Sequence, residues 1–208
     1  MREEKSIHSY KVILDSGMVS IYNRKDIVIA EFSLPEDLTV KDIHKTYIVI
    51  ENKENSLLGV YNFYGNVIVP VSYDHIVFYD LGILVREGPN FGLYSYFGNV
   101  LISTKHTVLA PCCNGSNKVI VSDEVRSENK VKSLSGVYEV ESESSELIVP
   151  IKFTKVTVSD TDLIKVQKEE EGPFEPYVHA WILKLVFISF KRILILRILF
   201  FIFNKVLF

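Results

Sequence analysis

The chain has 208 residues, which is long enough for one domain with a sizeable core or for two very small ones. Hydrophobic residues make up 48%, charged residues 24%, and the formal net charge is −3, so the composition excludes a fully disordered chain and shows no basic surplus typical of nucleic-acid binders. Only two cysteines are present, which excludes a disulfide scaffold and a multi-cysteine zinc site.

Charge divides the chain into two regions. Residues 1–177 contain all 26 acidic residues and sum to −8, whereas residues 178–208 contain five Lys and Arg, no acid, and sum to +5. The first residues, MREEKSIHSYKVIL, lack the basic start and apolar run of a secretory signal, so we expect a cytoplasmic protein by default. We therefore predict a domain over 1–177 and a separate basic, hydrophobic tail over 178–208.

Four segments of the first region begin with glycine and continue with apolar or aromatic residues. They start at Gly17, Gly59, Gly92 and Gly136. The second and third share the pattern G-[VL]-Y-x-[FY]-[FY]-G-N-V-[IL]-[VI]. Alternation before the inner Gly-Asn predicts a strand, and Gly65 and Gly98 predict the turn of a β-hairpin, since glycine accepts a positive φ.

Other residues in these segments predict the ends of the hairpins. Pro70 and Pro150 cannot donate to a strand ladder, so we expect them at strand ends or edges. Residues 141–146, Glu-Ser-Glu-Ser-Ser-Glu, predict an enlarged and solvated hairpin tip in the fourth segment. Each glycine start is expected to allow a tight turn between hairpins or to let an aromatic ring lie on the backbone.

The segment GVYNFYGNVIVPVSYDHIVFYDLGILVREGPNFG, from Gly59 to Gly92, resembles the WG-repeat (KWG-repeat) family. The matching positions are Gly65, Val69-Pro70, Tyr73-Asp74, Ile76, Phe78, Gly82 and Phe91-Gly92. The family's Trp-Gly pair is replaced by Phe91-Gly92, Leu58-Gly59 and Ser135-Gly136, and the sole tryptophan, Trp181, lies outside. The resemblance covers about residues 17–175 and implies an all-β repeat fold that serves as a binding surface and carries no general enzymatic residues.

The aromatic residues of the middle segments are predicted to form a continuous stacked core between units, because a single hairpin buries too little surface to be stable alone. They are Tyr61, Phe63, Tyr64, Phe78, Tyr79, Phe91, Tyr94, Tyr96 and Phe97. The alternative interpretation is a surface that stacks on carbohydrate or bases.

The tail allows three interpretations. Between Trp181 and Phe200 there are 14 Leu, Ile, Val and Phe residues, but Lys191 and Arg192 lie in the middle of this span. The tail is therefore a membrane-associated helix, an aberrant end of a longer repeat protein, or a segment packed on the β domain. The sequence leaves all three open.

Motifs of catalysis are missing from the sequence. The five histidines show no zinc spacing, and there is no phosphate-binding glycine loop and no nucleophile elbow. Asp74-His75 are adjacent on a predicted strand and so point apart, and Asp160 and Asp162 belong to a turn. We predict no catalytic, cofactor or metal-binding residues.

The sequence thus predicts tandem antiparallel β-hairpins in an open or superhelical meander, with a closed propeller as the alternative. The predicted function is a non-catalytic scaffold or binding module for a protein or glycan. The alternative is a β-repeat protein tethered to a membrane by residues 178–208, and an enzyme is the weakest hypothesis.

Overall fold

The computed structural model describes residues 3–7, 10–112, 116–127, 130–159, 163–169 and 172–177. These residues form nineteen strands and no helix, which confirms the all-β prediction. The predicted helical tail over 178–208 and the Asp160–Asp162 turn lie outside the described residues. Within the described part, no helix is available that could span a bilayer.

The strands form five antiparallel sheets, in which each strand pairs with its neighbour in the sequence. Sheet 1 contains β1 (Glu3–Ile7), β2 (Tyr10–Asp15), β3 (Met18–Asn23) and β4 (Val28–Ser33). Sheet 2 contains β5 (Leu38–His44), β6 (Tyr47–Asn52), β7 (Leu58–Asn62) and β8 (Val67–Tyr73). Sheet 3 contains β9 (His75–Tyr79), β10 (Gly82–Glu87), β11 (Asn90–Tyr94) and β12 (Val100–His106).

The last two sheets continue this order. Sheet 4 contains β13 (Val108–Pro111), β14 (Lys118–Ser127), β15 (Lys130–Val140) and β16 (Ser145–Phe153). Sheet 5 contains, among the described residues, β17 (Lys155–Val158), β18 (Ile164–Gln167) and β19 (Glu175–Pro176). The two-residue β19 pairs with β18, so the third strand of sheet 5 lies next to the second as in the preceding sheets.

Each pair of consecutive sheets encloses its own hydrophobic core. The 1–2 core includes Val12, Val19, Ile21, Val40, Ile48 and Ile50. The 2–3 core includes Val60, Val69, Tyr73, Ile83, Val85 and Tyr94. The 3–4 core includes Leu84, Leu93, Ile102, Leu109, Val119 and Val121, and the 4–5 core includes Val137, Val149, Phe153, Val156, Ile164 and Val166. The sheets therefore stack in chain order.

The two-residue period of a strand explains how one sheet serves two cores. In β10, Ile83 and Val85 face sheet 2, whereas the intervening Leu84 faces sheet 4. A strand buried on both faces has a continuous apolar run, as Ile83-Leu84-Val85 shows. This run explains why alternation alone does not mark the central strands.

The outward faces of the first and last sheets carry polar side chains. On sheet 1, Ser20 Oγ donates a hydrogen bond to Glu31 Oε1 at 2.7 Å, and Lys11 Nζ lies 2.5 Å from Asp26 Oδ1. On sheet 5, Lys165 is exposed at the position that Leu84 holds in sheet 3. Polar side chains thus lie on the faces of sheets 1 and 5 that no other described sheet covers, and on sheet 1 they surround the apolar Ile13, which pairs with Ser20.

Candidate functional site

A tyrosine follows an aliphatic residue on the third strand of each of the first four sheets. These are Tyr22, Tyr61, Tyr94 and Tyr138. In sheet 2, Val60 pairs with Val69 and Tyr61 with Val67, so one residue of the fourth strand is skipped. The same shift occurs at the other three tyrosines. This β-bulge gives the third hairpin of all four sheets the same bend just before its turn.

The turns that follow the tyrosines in sheets 1 to 3 share one hydrogen-bonding pattern. Asn62 Oδ1 accepts the N–H groups of Tyr64 and Asn66 at 2.9 and 3.0 Å. Asn23 Oδ1 and Ser95 Oγ each accept the equivalent two N–H groups at 2.8–3.2 Å. A residue with positive φ completes each turn, namely Asp26, Gly65 and Gly98, with φ of 55°, 79° and 97°. Gly65 and Gly98 thus lie at the turn positions where the sequence places them.

The glycines of the third strands face a larger irregularity of the fourth strand. Opposite Gly59, Gly92 and Gly136, the fourth strand has two extra residues. A Cβ on these glycines would lie 2.8, 2.9 and 2.5 Å from the carbonyl oxygens of Val69, Ile102 and Val149. The glycines therefore allow two backbones to approach closely, whereas the sequence predicts a tight turn or an aromatic ring lying on the backbone.

Pro70 and Pro150 lie within these same irregular segments of β8 and β16. Each follows directly the fourth-strand residue that pairs with the third strand, and neither has a partner in the ladder. Both strands are the outer strands of their sheets, where a missing N–H donor is tolerated. Both prolines therefore lie within an edge strand of their sheet and not at the end of a strand.

Gly17 does not occupy the position of the other three glycines. It lies in the turn between β2 and β3 with φ of 81°, and its carbonyl accepts the Leu34 N–H at 2.7 Å. In sheet 1 the equivalent of Gly59 is Ser20, which pairs with Glu31 in a regular ladder. Because this ladder has no extra residues, a side chain fits, and the predicted start at Gly17 is three residues too early.

Three further residues of the predicted repeat pattern make contacts within the stack, namely Tyr73, Asp74 and Phe91. The hydroxyl groups of Tyr73 and Tyr94 lie 2.7 Å apart across the 2–3 core. Asp74 Oδ2 accepts the N–H of Gly88 at 2.5 Å, which fastens the β8–β9 corner to the β10–β11 turn. Phe91 packs against the 3–4 core. These residues have structural positions in the stack.

Pairs of aromatic rings also join consecutive sheets at equivalent positions. Each pair combines a fourth-strand ring with a third-strand tyrosine of the next sheet or, in sheet 5, with Tyr177 directly after β19, and the centroids are 5.8–6.4 Å apart. The pairs are Phe32–Tyr61, Tyr73–Tyr94, His106–Tyr138 and Phe153–Tyr177.

Three of the aromatic residues predicted for the core are exposed. Tyr64 is 77% exposed, Phe97 is 67% exposed and Tyr79 is 40% exposed, so for these residues the prediction is wrong. In each turn the preceding ring points inward. Phe63 contacts Tyr10 edge-on at 4.9 Å, and Tyr96 lies 5.3 Å from Tyr47. Two adjacent turn residues point in opposite directions, which leaves Tyr64 and Phe97 at the tips.

An exposed aliphatic residue stands beside each of these turns, opposite the recurring tyrosine. These residues are Val28, Val67, Val100 and Leu147, and they are 39–56% exposed. We define the turn face as this row together with Tyr64 and Phe97. The sequence carried a signal for it, since Gly65-Asn66-Val67 and Gly98-Asn99-Val100 place a valine directly after the turn.

A cleft of about 520 Å³ opens between β2 and β4 of sheet 1 and the turns of sheets 2 and 3. Its lining includes Tyr10, Tyr47, Phe63, Tyr64, Tyr96 and Phe97. Burial raises the pKa of the Tyr47 and Tyr96 hydroxyls, which therefore remain neutral donors. Tyr47 donates to the Tyr96 carbonyl at 3.1 Å and Tyr96 to the Tyr79 carbonyl at 2.6 Å. The cleft therefore offers aromatic contact surface, and its size suits a few apolar side chains.

Among the described residues there is no group of three His, Cys, Asp or Glu side chains arranged to hold a metal ion. Searches for similar proteins found no matching family model, no matching curated protein and no matching solved structure.

Proposed function

We propose that the chain is a non-catalytic WG-type repeat module that binds a protein partner through the turn face. The succession of sheets supports the repeat assignment, because the tyrosine bulge recurs in four of them and the glycine contact in three. A repeat stack places equivalent side chains in a row, and such rows form extended binding surfaces.

The exposure of Tyr64 and Phe97 is the observation on which this proposal depends. Both are large apolar side chains at turn tips, and a cleft lined by four further rings lies beside them. Exposed aromatic residues next to an apolar pocket are typical anchors of protein interfaces. A turn needs only its asparagine or serine and its glycine, so the fold itself does not require these two rings.

A protein partner is favoured over a glycan by the aliphatic row. Glycans stack on flat aromatic rings, whereas Val28, Val67, Val100 and Leu147 offer branched aliphatic groups that suit apolar side chains. Along the turn face the aliphatic positions outnumber the exposed rings. We therefore assign the glycan to the alternative outcome of the test.

The test is a selection of displayed random peptides on the full chain, followed by affinity measurements on the Tyr64→Ser/Phe97→Ser double variant. Loss of two interface anchors is expected to weaken the selected peptides by at least about tenfold. The control is Val131→Ser/Phe174→Ser, which removes two exposed apolar side chains elsewhere and should leave the affinities unchanged.

Two results would contradict the proposal. One is a set of selected peptides that binds the Tyr64→Ser/Phe97→Ser variant as tightly as the original chain. The other is an absence of enriched peptides. A glycan, identified on an array, whose binding requires the same two rings would then assign the turn face to a glycan.

A further inference from the structure

The charge of the turn tips changes along the stack. Sheet 1 has Arg24 and Lys25 at the two tip positions where sheets 2 and 3 have aromatic residues, and both are exposed. The tip of sheet 4 instead carries Glu141 and Glu143, also exposed. The sequence of tips is therefore basic, aromatic, aromatic and acidic. Asp26, the acid in the first tip, is paired with Lys11.

Contacts between sheets place these tips on one side of the stack. A Cβ on Gly98, in the sheet 3 turn, would lie 3.4 Å from the Ile68 carbonyl oxygen of sheet 2. Ser145, at the start of β16, donates to the carbonyl of Leu101 in β12. Tyr10 pairs with Asn23, which precedes the first tip, and its ring lies 4.9 Å from that of Phe63 in the sheet 2 turn. The four tips thus follow one another along the turn face.

The dimensions of this row match a short extended segment. Sheets that pack face to face are about 10 Å apart, so three intervals between four tips span about 30 Å. An extended chain rises about 3.3 Å per residue, so about nine or ten residues cover this distance. The row presents one tip per sheet, which suits a single strand-like segment.

We propose that the partner contacts the turn face with an extended segment whose acidic end lies at sheet 1 and whose basic end lies at sheet 4. Its apolar middle occupies the cleft beside Tyr64 and Phe97. Complementary charges at the two ends fix the direction of the segment more than they raise its affinity. This inference rests on the proposed function, because it specifies the partner of the same face.

The test compares peptides of about twelve residues selected on three forms of the full chain. The first is the original chain, the second is Arg24→Glu/Lys25→Glu, and the third is Glu141→Lys/Glu143→Lys. All four side chains are exposed, so the variants are expected to fold. The control is Glu54→Lys, an exposed charge reversal in the β6–β7 turn, at the opposite end of sheet 2.

On the original chain we expect peptides with acids at one end, bases at the other and apolar residues between them. Each tip reversal is expected to weaken these peptides roughly three- to tenfold, and the Glu54→Lys control to leave them unchanged. Selection on the Arg24→Glu/Lys25→Glu form should replace the acidic end by a basic one.

Failure of this inference is distinguishable from failure of the proposed function. Peptides that need Tyr64 and Phe97 but have no charge polarity, or that tolerate both tip reversals, would overturn the inference alone. Peptides that do not need the two rings, or no enriched peptides at all, would overturn both.

Discussion

At the scale of the residue, one position of the third strand is glycine or serine according to how that strand pairs with the fourth. Gly92 faces a fourth strand with two extra residues, whereas Ser20, its equivalent in sheet 1, faces a regular ladder. We expect Gly92→Ala to lower the free energy of unfolding by about 1–3 kcal/mol, because its Cβ would press on the Ile102 carbonyl. Ser20→Ala is the matched variant and should change it by less than about 0.5 kcal/mol.

Thermal unfolding followed by circular dichroism measures this difference. Equal midpoints for the Gly92→Ala and Ser20→Ala variants would show that the close approach at Gly92 is relieved without cost.

His106 is a second residue for which the equivalent residues of other sheets predict the effect of a substitution. It is fully buried, its Nδ1 lies 2.8 Å from Asp123 Oδ1, and its Nε2 is buried without a hydrogen-bond partner among the described residues. Tyr73 and Phe153 hold the equivalent position in sheets 2 and 4. Because an unsatisfied buried polar atom costs about 1–3 kcal/mol, we expect His106→Phe to raise the free energy of unfolding.

Tyr73→Phe provides the opposite comparison, since it removes the hydrogen bond to Tyr94 and should lower the free energy of unfolding by about 0.5–1.5 kcal/mol. Urea unfolding of both variants gives the sign of each change in the free energy of unfolding. A destabilised His106→Phe variant would mean that the bond to Asp123 outweighs the buried nitrogen.

At the scale of the element, the third hairpin depends on the side chain that begins its turn. Asn62 accepts two backbone N–H groups, and Ser95 does the same in sheet 3. We expect Asn62→Ala to destabilise the protein by about 1–2 kcal/mol through loss of these bonds. Asn62→Ser should retain most of the stability, since serine performs this function one sheet further along. Chemical unfolding tests both, and equal losses in the two variants would contradict this account.

The same hairpins show how far the sequence predicts the fold. Hairpins at 59–70 and 92–102 are predictable because a turn glycine and asparagine separate two apolar strands. The first sheet is harder to place, because Ser20 stands where the others have glycine, and Gly17 is a turn glycine of a different hairpin. Pairing of β7 with β6, and the close contact that explains Gly59, depend on distant residues that periodicity does not identify.

The candidate site is less predictable than the hairpins. Tyr64 and Phe97 have the composition of core residues, and only the turn geometry shows that they point outward while Phe63 and Tyr96 point inward. The sequence shows which positions are aromatic, but the backbone of the turn determines whether each ring points to the core or to solvent.

At the scale of the whole molecule, the separate cores imply local rather than global coupling. Ile164 belongs to the 4–5 core and Ile21 to the 1–2 core. We expect Ile164→Ala, with a local loss of about 2–5 kcal/mol, to accelerate hydrogen exchange in β17 and β18 and to leave β2 and β3 unchanged. Ile21→Ala should do the reverse. Equal acceleration at both ends in either variant would indicate one cooperative unit.

Tyrosine burial across the stack also predicts a loss of stability in alkali. Burial is the main cause that raises the pKa of Tyr47, Tyr61, Tyr94, Tyr96 and Tyr138 above the ordinary value. A raised pKa means that folding favours the neutral phenol, so this contribution is complete below the unfolded pKa of about 10 and declines as the pH rises above it. Urea unfolding at pH about 8 and about 11, with tyrosinate absorbance recorded in parallel, measures the decline. A constant free energy of unfolding would contradict it.

The polar outer faces of sheets 1 and 5 have a consequence for self-association. If the outer faces of the first and last sheets were apolar, copies of the chain would stack face to face into fibres, since each copy would extend the next. Here Lys11 and Glu31 at one extremity and Lys165 at the other would have to lose their hydration for such growth. These charged side chains therefore oppose growth through the faces that the described residues of sheets 1 and 5 present.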